Sequence, residues 1–348
     1  MNYISRSLLL IVCLAQASYA AAAVKGNGST LLKGFLQRVI QAYNAAHPTP
    51  VFTYPGNNGS GAGVTGVINK QLNFAGSDVP PTQAQINAGH AKNCILIPVP
   101  VALTGIAFAY HLPRYTLPLK LTAQNIADIL TGKIKFWDDP AFFALNPHLA
   151  GEVGRLRIKP VVRTNGSGST GDINAFLRSA LGAAKWPFTG IQAPTPVPPG
   201  FGNTNSVGRA NSVQVAEYVN ATPGGFGYVG FNVVKTGSYL NVKTASIKNK
   251  SGNFIAPTLV TIGNVLKAQN VGLNTINSPV PDAYPIASPT NVIVCQCQSQ
   301  QNERFLEGFL EYVIEQGQNF APAKFLVKLN AQLRQLAHTN INKIRNCA

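Results

Sequence analysis

The stretch RTNGSGSTGD, residues 163–172, joins a strand-like run at 158–162 to a helix-like run at 173–181. It combines one arginine with serines, threonines and three glycines. Such a joint is either a flexible linker or a cradle for an anion. Glycines let backbone N–H groups come close to a ligand, and Ser or Thr fills the N-cap position of the helix that follows. Two more stretches repeat the pattern. Gly26-Asn27-Gly28-Ser29-Thr30 precedes the amphipathic run from Leu31, and Gly59-Ser60-Gly61-Ala62-Gly63 precedes the run 64–72. A helix N-terminus offers unpaired N–H groups and about half a positive charge, which suits phosphate-like anions. One such start is ordinary capping; three in one basic chain point to an oxyanion site.

The bulk composition agrees. The chain has 348 residues, enough for two domains or one domain in two lobes. Apolar residues make up 45%, which excludes a disordered chain, and only 11% are charged. Lys and Arg number 28 against 12 Asp and Glu, so the field favours anionic partners. The basic residues are scattered, without a block or a helix stripe, which argues against nucleic-acid binding.

At the N-terminus Arg6 precedes the apolar run 8–14, and small residues follow through Ala20. This pattern predicts a secretory signal peptide within residues 1–23, cleaved after Ala20 or a few alanines later. Cys13 inside the apolar run is a poor context for lipid attachment, and no later stretch predicts a membrane span. Cys94, Cys295, Cys297 and Cys347 then remain, an even number that predicts two disulfides in an exported chain. The spacing Cys295-Gln296-Cys297 puts both side chains on one face of a strand. Of the three possible pairings, the reading ties one of these two to Cys94 and the other to Cys347.

Helical periodicity covers 32–46, 65–72, 122–130, 173–181, 213–219, 304–315 and 323–336, and short apolar runs predict strands at 51–54, 95–98, 104–110, 158–163, 227–231 and 291–295. The alternation predicts an α/β protein, with a long Pro-, Gly- and Asn-rich surface loop at 193–211. Asp78, the first acid in the chain, ends a strand-like piece beginning at Asn73. A carboxylate at an anion site accepts a hydrogen bond from a protonated ligand and repels an unprotonated one. It therefore favours hydrogen phosphate over sulfate.

Several separate segments resemble the periplasmic phosphate-binding proteins that feed bacterial phosphate ABC transporters. They are GNGSTL (26–31), NNGSGAGV (57–64), FAGSDVPPT (74–82), IADILTGKIKFWDDPAFFALNP (126–147), VVRTNGSGST (161–170), TPGGFGYVGF (222–231) and AYPIASPTNVIV (283–294). The resemblance runs from about residue 24 to the C-terminus and is loose over 235–280 and the last 50 residues. It implies a two-lobed type II periplasmic binding fold, with residues 24–102 and 286–348 in one lobe, 103–285 in the other, and phosphate in the cleft between. Carried over, Thr30 and Leu31 bind through N–H groups and Thr30 also through its hydroxyl. Ser60 donates, Asp78 accepts the phosphate proton, Arg163 supplies charge, and Ser167, Gly168 and Ser169 complete the cage. Leu31 replaces a usual Phe, Ser169 a usual Thr, and Asn165 a common Asp that would pair with Arg163. The resemblance implies a monomeric, periplasmic or secreted carrier without cofactor or metal, partnered by phosphate and transporter membrane components.

Two other functions compete. A secreted phosphatase on this scaffold lacks sequence support: the five histidines form no metal-spaced pair, and no nucleophile elbow is present. An extracellular surface or adhesion protein would suit the low charge density, the Asn-rich loops and the disulfides, and does not exclude phosphate binding.

Overall fold

The structure, a computed structural model, is described over residues 23–191 and 206–347. The expected signal peptide lies outside these residues, as does the 193–205 part of the expected loop. Strands β1 (Ala23–Gly28), β2 (Val51–Thr53) and β3 (Phe74–Ser77) alternate with helices α1 (Lys33–Ala46), α2 (Gly59–Ile68) and α3 (Gln83–His90). The long β4 (Leu96–Tyr110) leads to β5 (Lys120–Leu121), α4 (Ala123–Leu130) and the short α5 (Leu149–Val153). Then come β6 (Lys159–Arg163), α6 (Gly168–Leu181), β7 (Val207–Arg209), α7 (Ser212–Ala221), β8 (Gly225–Gly230) and α8 (Phe231–Thr236). Short pieces β9 (Lys243–Thr244), β10 (Ser246–Lys248), β11 (Phe254–Ile255) and α9 (Leu259–Gly263) precede β12 (Ala287–Cys295). The chain closes with β13 (Cys297–Gln298), α10 (Gln300–Ile314), α11 (Ala331–Ile341) and β14 (Arg345–Asn346).

The main sheet runs β2-β1-β3-β12-β4-β8-β6-β7. On one side β1 pairs in parallel with β2 and β3; on the other β6 pairs in parallel with β7 and β8. Between these triads β12 and β4 run antiparallel to each other. The first part of β4 pairs with β12, and its last five residues, Ile106 to Tyr110, pair with β8. Two parallel α/β units joined by two shared strands form a two-lobed α/β fold, in which ligands bind beyond the carboxyl ends of the parallel strands. Close backbone approach marks these ends. Gly28 sits at φ +131°, and a Cβ there would meet the Gly76 carbonyl oxygen at 2.3 Å. The sides are covered by amphipathic helices; α1, for example, buries Phe35, Leu36, Val39, Ile40 and Tyr43. Rings of Tyr43, Phe52, Phe74 and Phe309 meet beneath it.

Several elements differ from the sequence reading. The two strands expected at 95–98 and 104–110 are one, because Pro98 and Pro100 sit within β4 without ending it. The helix expected at 323–336 starts only at Ala331. Phe325 adopts left-handed φ and ψ, and the Val327 backbone bridges to Leu103, so the chain is extended where the pattern read as helix. Helix α2 starts at Gly59 rather than Thr65. The hydroxyl N-cap expected at all three Gly-rich starts occurs at one. Ser167 caps α6 by accepting from the Thr170 N–H, whereas Leu32 precedes α1 and Asn58 precedes α2 without side-chain caps. Helix α2 thus begins two residues upstream of where a Ser60 cap would start it, which places Ser60 inside its first turn.

The disulfides are Cys94–Cys295 and Cys297–Cys347, spanning 201 and 50 residues of sequence. The pairing matches the reading, but the shared strand face does not: Gln296 separates β12 from β13, leaving Cys295 buried and Cys297 exposed. Among the described residues, no helix is long and apolar enough to cross a membrane.

Candidate functional site

Each candidate residue follows the carboxyl end of a parallel strand. Ser29 to Leu31 follow β1, Ser60 follows β2, Asp78 follows β3, and Arg163 ends β6 just ahead of Ser167 to Ser169. The two strand triads therefore aim their loops at one point between the lobes.

At that point Asp78 is buried. Its Oδ1 accepts from the Ser29 hydroxyl and its Oδ2 from the Ser169 hydroxyl at 3.2 Å, while its N–H donates to Ser60 Oγ at 3.3 Å. Burial pushes the Asp78 carboxyl up; the Ser29 hydroxyl, the positive charge of Arg163 and the Ser169 donors oppose this. Gly168 lies against Asp78 so closely that a Cβ would fall 2.5 Å from the Asp78 Cβ. This contact requires glycine.

Arg163 is 2% exposed. Its Nε and Nη2 donate to the Ala210 carbonyl at 3.2 and 2.9 Å, and its Nη1 donates to Ser167 and Ser212 hydroxyls at 2.8 and 3.3 Å. Among the described residues no carboxylate lies within ion-pair distance of it. Nη2 faces α2, 3.4 Å from where a Gly59 Cβ would stand. A buried guanidinium without a carboxylate partner keeps a charge that an anion can balance. Burial lowers its pKa, and nearby Tyr228 and Asp78 oppose the change. Asn165, standing where the resemblance leads one to expect Asp, is consistent with this lack of an internal counter-ion.

The lobes touch along the cleft. The Gly61 N–H donates to the Gly166 carbonyl at 3.0 Å, and Asn232 Nδ2 donates to the Leu31 carbonyl at 2.8 Å. The Leu31 side chain is buried against Gly230. Thr30 stands half-buried beside Asn232 and Lys33 at the rim. Ser60, Asp78, Arg163, Ser167, Gly168 and Ser169 thus converge, with Leu31 N–H adjoining through Ser29 and Thr30 at the edge.

Three participants were not singled out from sequence. Ser29, beside Thr30, brings its hydroxyl to Asp78. Ser212, at the start of α7, helps hold Arg163. Asp172, inside the opening stretch, is buried, and among the described residues only the Ser288 hydroxyl bonds its two oxygens, at 3.0 Å each. Burial holds the Asp172 carboxyl well above the usual range; the Asp78 charge adds to this and Ser288 opposes it. Spacing offers one signal for Asp172: it stands three residues after Ser169, on the same helix face.

A two-lobed α/β protein whose cleft holds a buried, hydroxyl-bonded arginine opposite a buried aspartate is a solute-binding protein in architecture. A family model described as a PBP superfamily domain matches residues 15–316, and the chain belongs to that superfamily. It is 27% identical over 335 residues to the phosphate-binding protein PstS 3 of Mycobacterium tuberculosis, covering 92% of this chain and 86% of that one. It is 24% identical over 324 residues to the phosphate-binding protein PstS of Methanocaldococcus jannaschii, covering 85% and 79%. The crystal structure of a phosphate-binding protein from Stenotrophomonas maltophilia shares the fold, with a TM-score of 0.68 and 20% identity over 92% of this chain and 94% of that one.

Proposed function

We propose that the protein captures inorganic phosphate between its lobes and delivers it to a phosphate ABC transporter. The observation that carries this reading is Arg163: a buried guanidinium bonded to hydroxyls and a carbonyl, facing a cleft whose other wall holds Asp78. Phosphate at neutral pH supplies the missing negative charge and also a P–OH for Asp78. Sulfate supplies the charge alone. One proton is then shared between Asp78 and the ligand, whichever of the two carries it. Leu31 and Gly168 contribute N–H groups, and Thr30, Ser60, Ser167 and Ser169 hydroxyls complete the cage.

The lobes that close on phosphate comprise residues 24–102 with 286–348, and residues 103–285. The crossing strands β4 and β12 act as the hinge. The protein works as a binding protein rather than an enzyme, in the periplasm or outside the cell, and as a monomer. Isothermal titration of the mature protein with phosphate and with sulfate tests the function. Saturable heat with phosphate and none with sulfate is expected. No phosphate heat, or equal affinity for both anions, overturns the reading.

A further inference from the structure

We propose that the Ser29 hydroxyl is an internal surrogate for the proton-bearing oxygen of the ligand, and therefore a further affinity-determining residue of the cleft. The inference rests on the phosphate reading above. Ser29 Oγ donates to Asp78 Oδ1 and accepts from the N–H groups of Leu31 at 3.1 Å and Leu32 at 3.4 Å, at the head of α1. A P–OH group in the cleft makes the same set of bonds: it donates its proton to a carboxylate and accepts from N–H groups at a helix start. The other hydroxyls are placed differently. Ser169 Oγ also donates to Asp78 but accepts no N–H among the described residues. Ser60 Oγ accepts from the Asp78 N–H, and Ser167 Oγ accepts from Arg163 and Thr170. Among the described residues, Ser29 alone combines the Asp78 contact with helix-start donors.

The Ser29 backbone is pinned at both ends. Its N–H donates to the Gly76 carbonyl at 2.9 Å, and its carbonyl accepts from the Tyr54 hydroxyl at 2.8 Å. Rotation about a single side-chain torsion therefore releases the hydroxyl without moving the chain. The Leu31 N–H has one hydrogen, so it serves either Ser29 or a ligand oxygen. A protonated phosphate restores both lost bonds: its oxygen takes the N–H groups and its proton takes Asp78 Oδ1. An anion without a proton restores only the first, and leaves a buried carboxylate oxygen short of a donor. Ser29 thereby adds a displacement cost common to every anion that takes its place, which lowers affinity and leaves the preference for a protonated ligand to Asp78.

Titration of Ser29→Ala with inorganic phosphate and with sulfate tests the proposal, alongside thermal unfolding in phosphate-free and phosphate-saturated buffer. With nothing to displace, phosphate should bind Ser29→Ala about ten-fold more tightly, the scale of one charge-assisted hydrogen bond, and the preference for phosphate over sulfate should stay as in the wild type. The melting temperature should fall in phosphate-free buffer and match the wild type at saturating phosphate. Ser29→Cys, nearly the same shape but a poor donor, should shift both readouts the same way by less. Unchanged affinity in Ser29→Ala removes the displacement, and weaker affinity makes Ser29 a direct ligand donor; either overturns the proposal while phosphate binding stands. A wild-type protein that binds no phosphate removes the reading above, and this inference with it.

Discussion

Gly168→Ala puts the closing of the cleft to a direct test. Gly168 is the first residue of α6, and its missing side chain faces Asp78 from the opposite lobe. An added Cβ would lie 2.5 Å from the Asp78 Cβ and 3.0 Å from both the Asp78 Cα and Cγ, where ordinary contact begins near 3.4 Å. Backbone is among the atoms met, so no side-chain rotation relieves the clash, and the lobes must separate by roughly 1 Å. That movement stretches the Ser169–Asp78 hydrogen bond of 3.2 Å and the Gly61–Gly166 bond of 3.0 Å past useful length. Over-packing of this kind costs about 1–3 kcal/mol. The phosphate dissociation constant should therefore rise by roughly 5- to 150-fold. Alanine is at least as good as glycine in a helix, and the lobes can relax apart, so thermal stability in phosphate-free buffer should not fall. Isothermal titration and thermal unfolding on the same sample separate the two effects. Phosphate affinity within two-fold of the wild type would refute the reasoning, because the steric wedge would then have no cleft to block.

Arg163→Ala should weaken phosphate binding by about 2–5 kcal/mol, the range for losing one partner of a buried charge pair, and a loss under ~0.5 kcal/mol in titration would remove Arg163 from the site. Asp172 makes stability depend on pH. Its folded pKa is raised by burial, with the Asp78 charge adding, so the folded state holds a proton that the unfolded state gives up. Stability should fall as pH rises from about 4, the ordinary aspartate value, toward the raised folded value. Asp172→Asn should flatten that fall, gaining on the wild type at pH 7 relative to pH 4; parallel melting curves across that window would contradict it. The Cys94–Cys295 bridge closes 201 residues of chain. Replacing both cysteines by alanine should cost about 2–5 kcal/mol in denaturant unfolding, and a cost near zero would show that the bridge does not restrain the unfolded chain.

Much of the fold was legible because it is written locally. The period of α1, α4, α7 and α10 is plain in the sequence, and so are the apolar runs of β6, β8 and β12. Helix α3 escaped the period test because Gln, Asn, Ala and Gly make a weakly amphipathic helix, yet Thr82 and Gln85 form a capping box that marks its start. The prolines that split β4 on paper do not break it in three dimensions. Both stay in register with β12, Pro98 opposite Ile293 and Pro100 opposite Asn291, and Asn340 Nδ2 donates to the Pro98 carbonyl at 2.7 Å. The helix misplaced at 323–336 shows the reverse. Its apolar spacing is real, but the left-handed turn at Phe325 and the pairing of Val327 with Leu103 override it.

By itself the sequence determined the chemistry available at the cleft: glycines and hydroxyls after strand ends, one arginine, and one early aspartate. These are consequences of residue type and of position along the chain. Only the tertiary structure decided which groups meet. That Ser29 bonds Asp78 while Thr30 stands at the rim depends on how β1 lies against β3, nearly fifty residues apart. The burial of Asp172 against Ser288, the hydroxyls around Arg163 and the glycine contact at Gly168 arise in the same way. A side chain's partners are set by distance in space, and in this fold those distances are fixed by two strand triads converging from opposite sides of β4 and β12.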